Sequence, residues 1–138
     1  MKKFEIFPHT ADIGIRVYGR NLKELFENSG EGTLFLMREE ENLQEKEEIN
    51  FEIKSDFIEM LLNKFLNEFI YLFDSKFFLI KNFKIEEFSE NIIKGKLFGE
   101  TFDEKKHKIK YAIKACTLED MIIEKVDNLY KVDIIFDI

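Results

Sequence analysis

The two residues whose type and spacing best suit them for chemistry stand near opposite ends of the chain. Asp12 sits in Ala11-Asp12-Ile13-Gly14-Ile15, where period-2 alternation puts it on the strand face opposite Ile13 and Ile15. Gly14 beside it leaves space above the backbone. Asp137 sits in Ile134-Ile135-Phe136-Asp137-Ile138, a tail apolar enough to be tied into a sheet. Its carboxylate lies within one residue of the terminal carboxylate on Ile138. Should Asp12 lie across from this tail, three anionic groups converge. Two carboxylates about 5 Å apart repel by roughly 3 kcal/mol at an effective dielectric of about 20. Such a cluster needs a cation, a lysine or a retained proton, and hard oxygen donors favour Ca²⁺, Mg²⁺ or Mn²⁺ over zinc. The spacing leaves a plainer alternative open, in which Asp12 bonds turn amides and Asp137 is a solvated chain end.

Other reactive side chains are fewer. His9 could be a ligand or proton carrier, or could hold the backbone of a neighbouring turn. Lys106-His107 is expected at a hairpin tip between Gly99-Glu100 and Ile109. Lys114, mid-strand on the face of Lys110 and Cys116, is either a counter-charge for the carboxylates or an exposed edge lysine. Cys116 reads as a small buried hydrophobe rather than a nucleophile. The sequence has no phosphate-binding glycine loop, paired-cysteine zinc site or nucleophilic serine elbow.

These residues must be positioned by an α+β fold. Phe4 to Pro8 reads as a strand, His9-Thr10 as a bend, and Ala11 to Val17 as a second strand ended by Gly19. Asn21 and Glu24 form a capping box for a helix reaching about residue 37, in which Gly30 and Gly32 allow close packing. An acidic loop precedes a strand through Ile49, Phe51 and Ile53. Asp56 with Glu59 is expected to cap a stronger helix, with Ile58, Leu61, Leu62, Phe65, Phe69, Leu72 and Phe73 on its apolar face. Strands are then expected at 77–83, 84–88, 92–99, 108–116, 121–124 and 129–136. Two main helices packed with mostly antiparallel sheet, in a single domain over residues 1–138, is the expected architecture.

Composition narrows the function. The 138 residues are 45% hydrophobic and 36% charged, enough for one packed core. A single cysteine fits a reducing compartment, and the opening Met1-Lys2-Lys3-Phe4-Glu5 lacks a signal peptide's apolar run. No stretch suits a membrane span, so a soluble, cytoplasmic protein with no membrane partner is expected. A net charge of −7 argues against a dedicated nucleic-acid binder. The charge is uneven, however: residues 38–59 carry a net −6 and residues 94–114 a net +4.

The motif His9-Thr10-Ala11-Asp12-Ile13-Gly14-Ile15 resembles the signature of the archease family. So do Gly99-Glu100, Lys106-His107, Ile113-Lys114-Ala115 and Phe136-Asp137-Ile138, in matching order and spacing over essentially the whole chain. The resemblance implies a non-catalytic accessory protein that activates the RtcB-type tRNA-splicing ligase. It would promote guanylylation of a ligase histidine by GTP, allow repeated turnover and broaden the nucleotide accepted. Contact with RNA would be indirect, through the ligase. It also implies a divalent-metal site, calcium in the family, at Asp12, Asp137 and the Ile138 carboxylate, and a role in activation for Lys106. His9, His107 and Lys114 are further candidates for partner activation. Cys116 and Leu118-Glu119-Asp120 depart from the family's usual valine and Tyr-His-type residues, and Ser29-Gly30-Glu31-Gly32 is richer in glycine. Two readings from other classes stay open: a stand-alone metal-dependent hydrolase, which lacks a convincing general base, and a chaperone-like interaction module.

Overall fold

The computed structural model describes residues 2–9 and 11–138, apart from the side chain of His9. Strands β1 (Phe4–His9) and β2 (Asp12–Gly19) lead into helix α1 (Leu22–Met37), strand β3 (Glu47–Lys54) and helix α2 (Ile58–Lys76). The rest is strand: β4 (Phe78–Phe88), β5 (Ile92–Thr101), β6 (Ala115–Cys116), β7 (Glu124–Val126) and β8 (Leu129–Asp137). One sheet runs β1-β2-β8-β6, with β7 also on β8; the other runs β3-β5-β4, and every pairing is antiparallel. The expected α+β architecture of two helices and antiparallel sheet is thus what the chain adopts.

Alternation in β2 and β8 decides which face packs. Ile13, Ile15 and Val17 are buried with Val132, Ile134 and Phe136 in one core that both sheets and both helices share. Phe65 of α2 is at its centre, with ring centroids 4.9–6.1 Å from Phe26, Phe51, Phe69 and Phe83. Rings from α1, α2, β3 and β4 meet there, which accounts for much of the chain's phenylalanine. Helix α1 is flanked on two sides, because Gly30 faces the Phe83 ring of one sheet and Gly32 faces Ile15 of the other. The two glycines do permit close packing. At its start, the Asn21 side chain accepts the Glu24 N–H at 2.8 Å, while Glu24 reaches back to the Arg20 N–H and guanidinium.

Several expectations are corrected. Residues 77–83 and 84–88 are one long strand, β4, bent by two bulges, at Ile80/Asn82 and Ile85/Glu87, that break its alternation. Phe77 is not strand but the left-handed cap of α2 (φ 54°). Asp56 does not cap α2; the N-cap position is Phe57, without a side-chain bond, and Glu59 accepts the Ile123 N–H instead. Only Ala115–Cys116 of 108–116 is strand. The N–H groups of Lys110 and Tyr111 donate to the Met37 and Leu36 carbonyls, so this segment satisfies the end of a helix rather than a sheet. The strand expected at 121–124 begins at Glu124, with Met121 buried in the preceding turn. Ala11 has φ 61° and precedes β2 rather than joining its apolar face. Of the bend expected at His9-Thr10, His9 instead ends β1, paired with Asp12, and Thr10 lies outside the described residues.

Both bulges of β4 follow a residue paired with a glycine of β5, Gly99 opposite Ile80 and Gly95 opposite Ile85. A Cβ on Gly95 would stand 1.9 Å from the Lys84 carbonyl oxygen. Alanine normally stabilises a strand interior relative to glycine. Here the sign reverses: Gly95→Ala should lower stability by about 1–3 kcal/mol in urea unfolding, since rigid backbone must yield. An unchanged or raised midpoint would show the bulge to be freely adjustable.

Candidate functional site: a like-charged rung between β2 and β8

The β2–β8 ladder pairs Asp12 with Asp137, Gly14 with Ile135 and Arg16 with Asp133. Directly opposed residues share a face, here the face turned away from the helices. Rungs along that face differ in kind. Arg16 and Asp133 form a two-pronged ion pair, Nε–Oδ1 2.7 Å and Nη2–Oδ2 3.0 Å, which drives the guanidinium still further toward its charged form. Between them and the acids, the Phe7 ring lies over Gly14 and Ile135 is buried. The space above Gly14 is therefore filled by an aromatic ring. The final rung joins two carboxylates, and like charges directly opposed weaken a sheet.

Three further segments border this rung. His9 of β1 pairs with Asp12 in the backbone register, its side chain lying outside the described residues. On the other side Ala115 pairs with Asp137, and the Lys114 N–H donates to the Asp137 carbonyl at 2.7 Å. Ile138 follows, with 38% of its surface exposed. His9, Asp12, Asp137, Ile138 and the Lys114 backbone thus share one corner. The Lys114 side chain is exposed and lines a cleft with Met37, Phe73 and Asp74, and it forms no ion pair among the described residues.

Lys106 and His107 belong to a separate cluster, and no hairpin forms around them. The N–H groups of both donate to the Asp103 carbonyl in a tight turn. The centre of the cluster is buried Glu100, whose Oε1 lies 3.1 Å from Lys106 Nζ and whose Oε2 accepts the Gln44 N–H at 2.7 Å. His107 is buried, with Nδ1 3.0 Å from the Asp103 nitrogen and Nε2 3.1 Å from Glu100 Oε2. A backbone N–H only donates, so Nδ1 accepts and Nε2 carries the proton toward Glu100. These two candidates thus tie the turn after β5 to Glu100, which itself holds the acidic loop through the Gln44 N–H, and they share no residue with the carboxylate rung.

Sequence reasoning overlooked a positioning device. Asn67 of α2 accepts the Cys116 N–H at 2.8 Å and donates to the Cys116 carbonyl at 3.0 Å, as a strand neighbour would. Asn63, one turn earlier, donates to the same carbonyl. Two amides spaced i, i+4 beside an apolar helix face were the available signal. They fix β6, which borders Asp137. Burial raises the Cys116 thiol to about 12, leaving it inert at neutral pH, as its reading as a hydrophobe implied.

Burial alone would raise the Glu100 carboxyl, but hydrogen bonds from Gln44, Lys106 and His107 outweigh it and bring it down to about 2. A carboxylate with a depressed pKa contributes its full stability above the unfolded value of 4.5 and loses it as pH falls toward about 2. That difference corresponds to about 3 kcal/mol. Urea unfolding from pH 6 to pH 2 should show Glu100→Gln destabilised at the upper end and losing less stability on acidification than wild type. Parallel curves for the two proteins would contradict this coupling.

Comparison with known proteins agrees with this architecture over its whole length. The Archease protein family model matches residues 4–138. The protein archease of Sulfurisphaera tokodaii is 37% identical over 139 residues, covering all of both chains. That of Pyrococcus furiosus is 37% identical over 131 residues, 93% of this chain and 92% of its own. The solution structure of Methanobacterium thermoautotrophicum protein 1598 superposes with a TM-score of 0.80 at 32% identity, covering both chains fully. The crystal structure of an archease and possible chaperone from Thermotoga maritima gives a TM-score of 0.64 at 24% identity over 96% of this chain and 94% of its own, a likeness of fold. With its sequence matched from β1 through β8, the chain belongs to the archease family.

Proposed function

We propose that this archease is a non-catalytic activator of an RtcB-type tRNA-splicing ligase, promoting guanylylation of the ligase by GTP and its repeated turnover. Broadening of the nucleotide the ligase accepts belongs to the same proposal. The observation that carries the site is the acid–acid rung of Asp12 and Asp137, on the same face of the ladder as the acid–base rung four residue pairs away. A divalent cation, Ca²⁺ first and Mg²⁺ or Mn²⁺ as substitutes, would relieve the repulsion, held by both aspartates and the Ile138 carboxylate. The donor set fits, being all hard oxygen.

Among the described residues, no group of three or more His, Cys, Asp or Glu side chains converges as a metal site. Two aspartates and one chain terminus supply fewer than the roughly 6–8 oxygens that Ca²⁺ takes. The remaining positions fall to water or to a partner, which suits a contact made with another protein better than a self-contained active site. When bound, the cation would supply fixed positive charge at that contact.

The chain's own contribution is positional. The β2–β8 register holds Asp12 and Asp137 opposite each other, while the Lys114 N–H anchors Asp137 from the far side. His9 neighbours Asp12 in register and joins the proposed docking surface. Lys114, whose exposed ammonium has no described ion partner, is placed to meet the ligase; Lys106 is engaged with Glu100. Net charge −7 fits contact with RNA through the ligase alone. No described helix is long and apolar enough to cross a membrane.

The test is a guanylylation assay of the cognate ligase with GTP. Asp12→Ala and Asp137→Ala should each reduce stimulation at least tenfold without loss of fold by circular dichroism. Lys114→Ala should reduce it more than Lys106→Ala. Full stimulation by both aspartate variants would sink the proposal.

A further inference from the structure

Helix α1 ends at Arg38, whose side chain turns into the space between α1 and the bulged edge of β4. Its Nε donates to the Ile80 carbonyl at 2.9 Å and its Nη2 to the Lys81 carbonyl at 2.8 Å. One edge of the guanidinium is thus fixed by the backbone of the first bulge. The other edge, Nη1 with the second hydrogen of Nη2, meets no acceptor among the described residues. Arg38 is only 6% exposed, and no described carboxylate lies within ion-pair distance of it. A buried cation with no carboxylate in direct contact is costly, and the structure around it must compensate.

The guanidinium lines a cleft of about 540 Å³ together with Lys81, Lys110, Phe4, Phe35 and Phe83. Two acids also border it. Glu31 is already paired with Lys3 at 2.9 Å, which leaves Glu40 against three cations. The rings are occupied as well: Lys110 Nζ stands 3.7 Å above the Phe35 centroid, and Phe4 packs on Phe35 at 5.7 Å. The cleft therefore offers charge and hydrogen-bond donors, with Lys110 standing over one of its aromatic rings.

We propose that this cleft binds a phosphate group, with the buried Arg38 guanidinium as its anchor and Lys81 and Lys110 as flanking charges. A carboxylate carries a single negative charge, fewer than the cleft's surplus. A phosphate presents up to two charges and three acceptor oxygens, matching a guanidinium edge and two ammonium groups. The site lies alongside the last turns of α1 and is formed by different residues from the carboxylate rung. Its success or failure is independent of the ligase proposal.

The probe is inorganic phosphate, titrated into ¹⁵N-labelled protein in metal-free buffer at constant ionic strength and followed by amide chemical shifts. Saturable shifts are expected at residues 36–40, 80–83 and 108–111, with acetate producing none of comparable size. Lys81→Ala/Lys110→Ala, which alters only the flanking lysines, should weaken phosphate binding at least tenfold. Arg38→Met should abolish it; because this change also removes two bonds to β4, the double-lysine variant serves as the folded control. Absence of saturable shifts at these amides, equal binding of acetate, or an undiminished response in the double variant would each overturn the proposal.

Discussion

The antiparallel ladder between β2 and β8 joins the two ends of the chain, and the rest of the structure depends on its register. Side chains in a strand alternate between faces, so a slip of one residue would carry Asp12 into the core and Ile13 out to the surface. Ile13, Ile15, Val17, Val132, Ile134 and Phe136 oppose such a slip, each buried beneath the helices. Burying a side chain of this kind is worth about 1.5–3 kcal/mol as an upper range. Six of them exceed the roughly 3 kcal/mol by which two near carboxylates repel at an effective dielectric of about 20. The apolar face therefore sets the register, and the acid–acid rung is its consequence on the other face.

The same register makes the outer face informative. One rung, Arg16 with Asp133, is complementary, and its two short hydrogen bonds lock the ladder from the polar side as the isoleucines do from the core. The other rung of charges is like with like. Support reaches this rung from α2 too, since Asn67 and Asn63 bond the backbone of Cys116 and so hold β6 beside Asp137. Helix, strand and chain end thus converge on a polar corner.

Much of this was legible in the sequence, for physical reasons that can be named. Period-2 burial in residues 12–18 and 132–136 gave both strands and the faces of both aspartates. The apolar stripe from Ile58 to Phe73 gave α2. What escaped was structure whose signal is tertiary. Two bulges broke the alternation of β4, making one strand resemble two. Residues 108–114 carry a strand-like pattern, yet two of their N–H groups go to the carbonyls ending α1. Lys106 and His107 looked like exposed hairpin residues because nothing local shows that Glu100 is buried among them. The family resemblance rested on these same segments, but it could not say that Lys106 and Lys114 occupy different neighbourhoods.

The account stands or falls on whether Asp12 and Asp137 together hold a divalent cation. Isothermal titration of Ca²⁺ into the metal-free protein, beside Asp12→Asn, Asp137→Asn and the double variant, tests this directly. The account predicts one saturable site in the wild type, weakened at least tenfold by either single change. It further predicts that the double change weakens binding little beyond the worse single one, as expected for two ligands of one ion. Wild-type affinity retained in both single variants, or no saturable binding in the wild type, would contradict it.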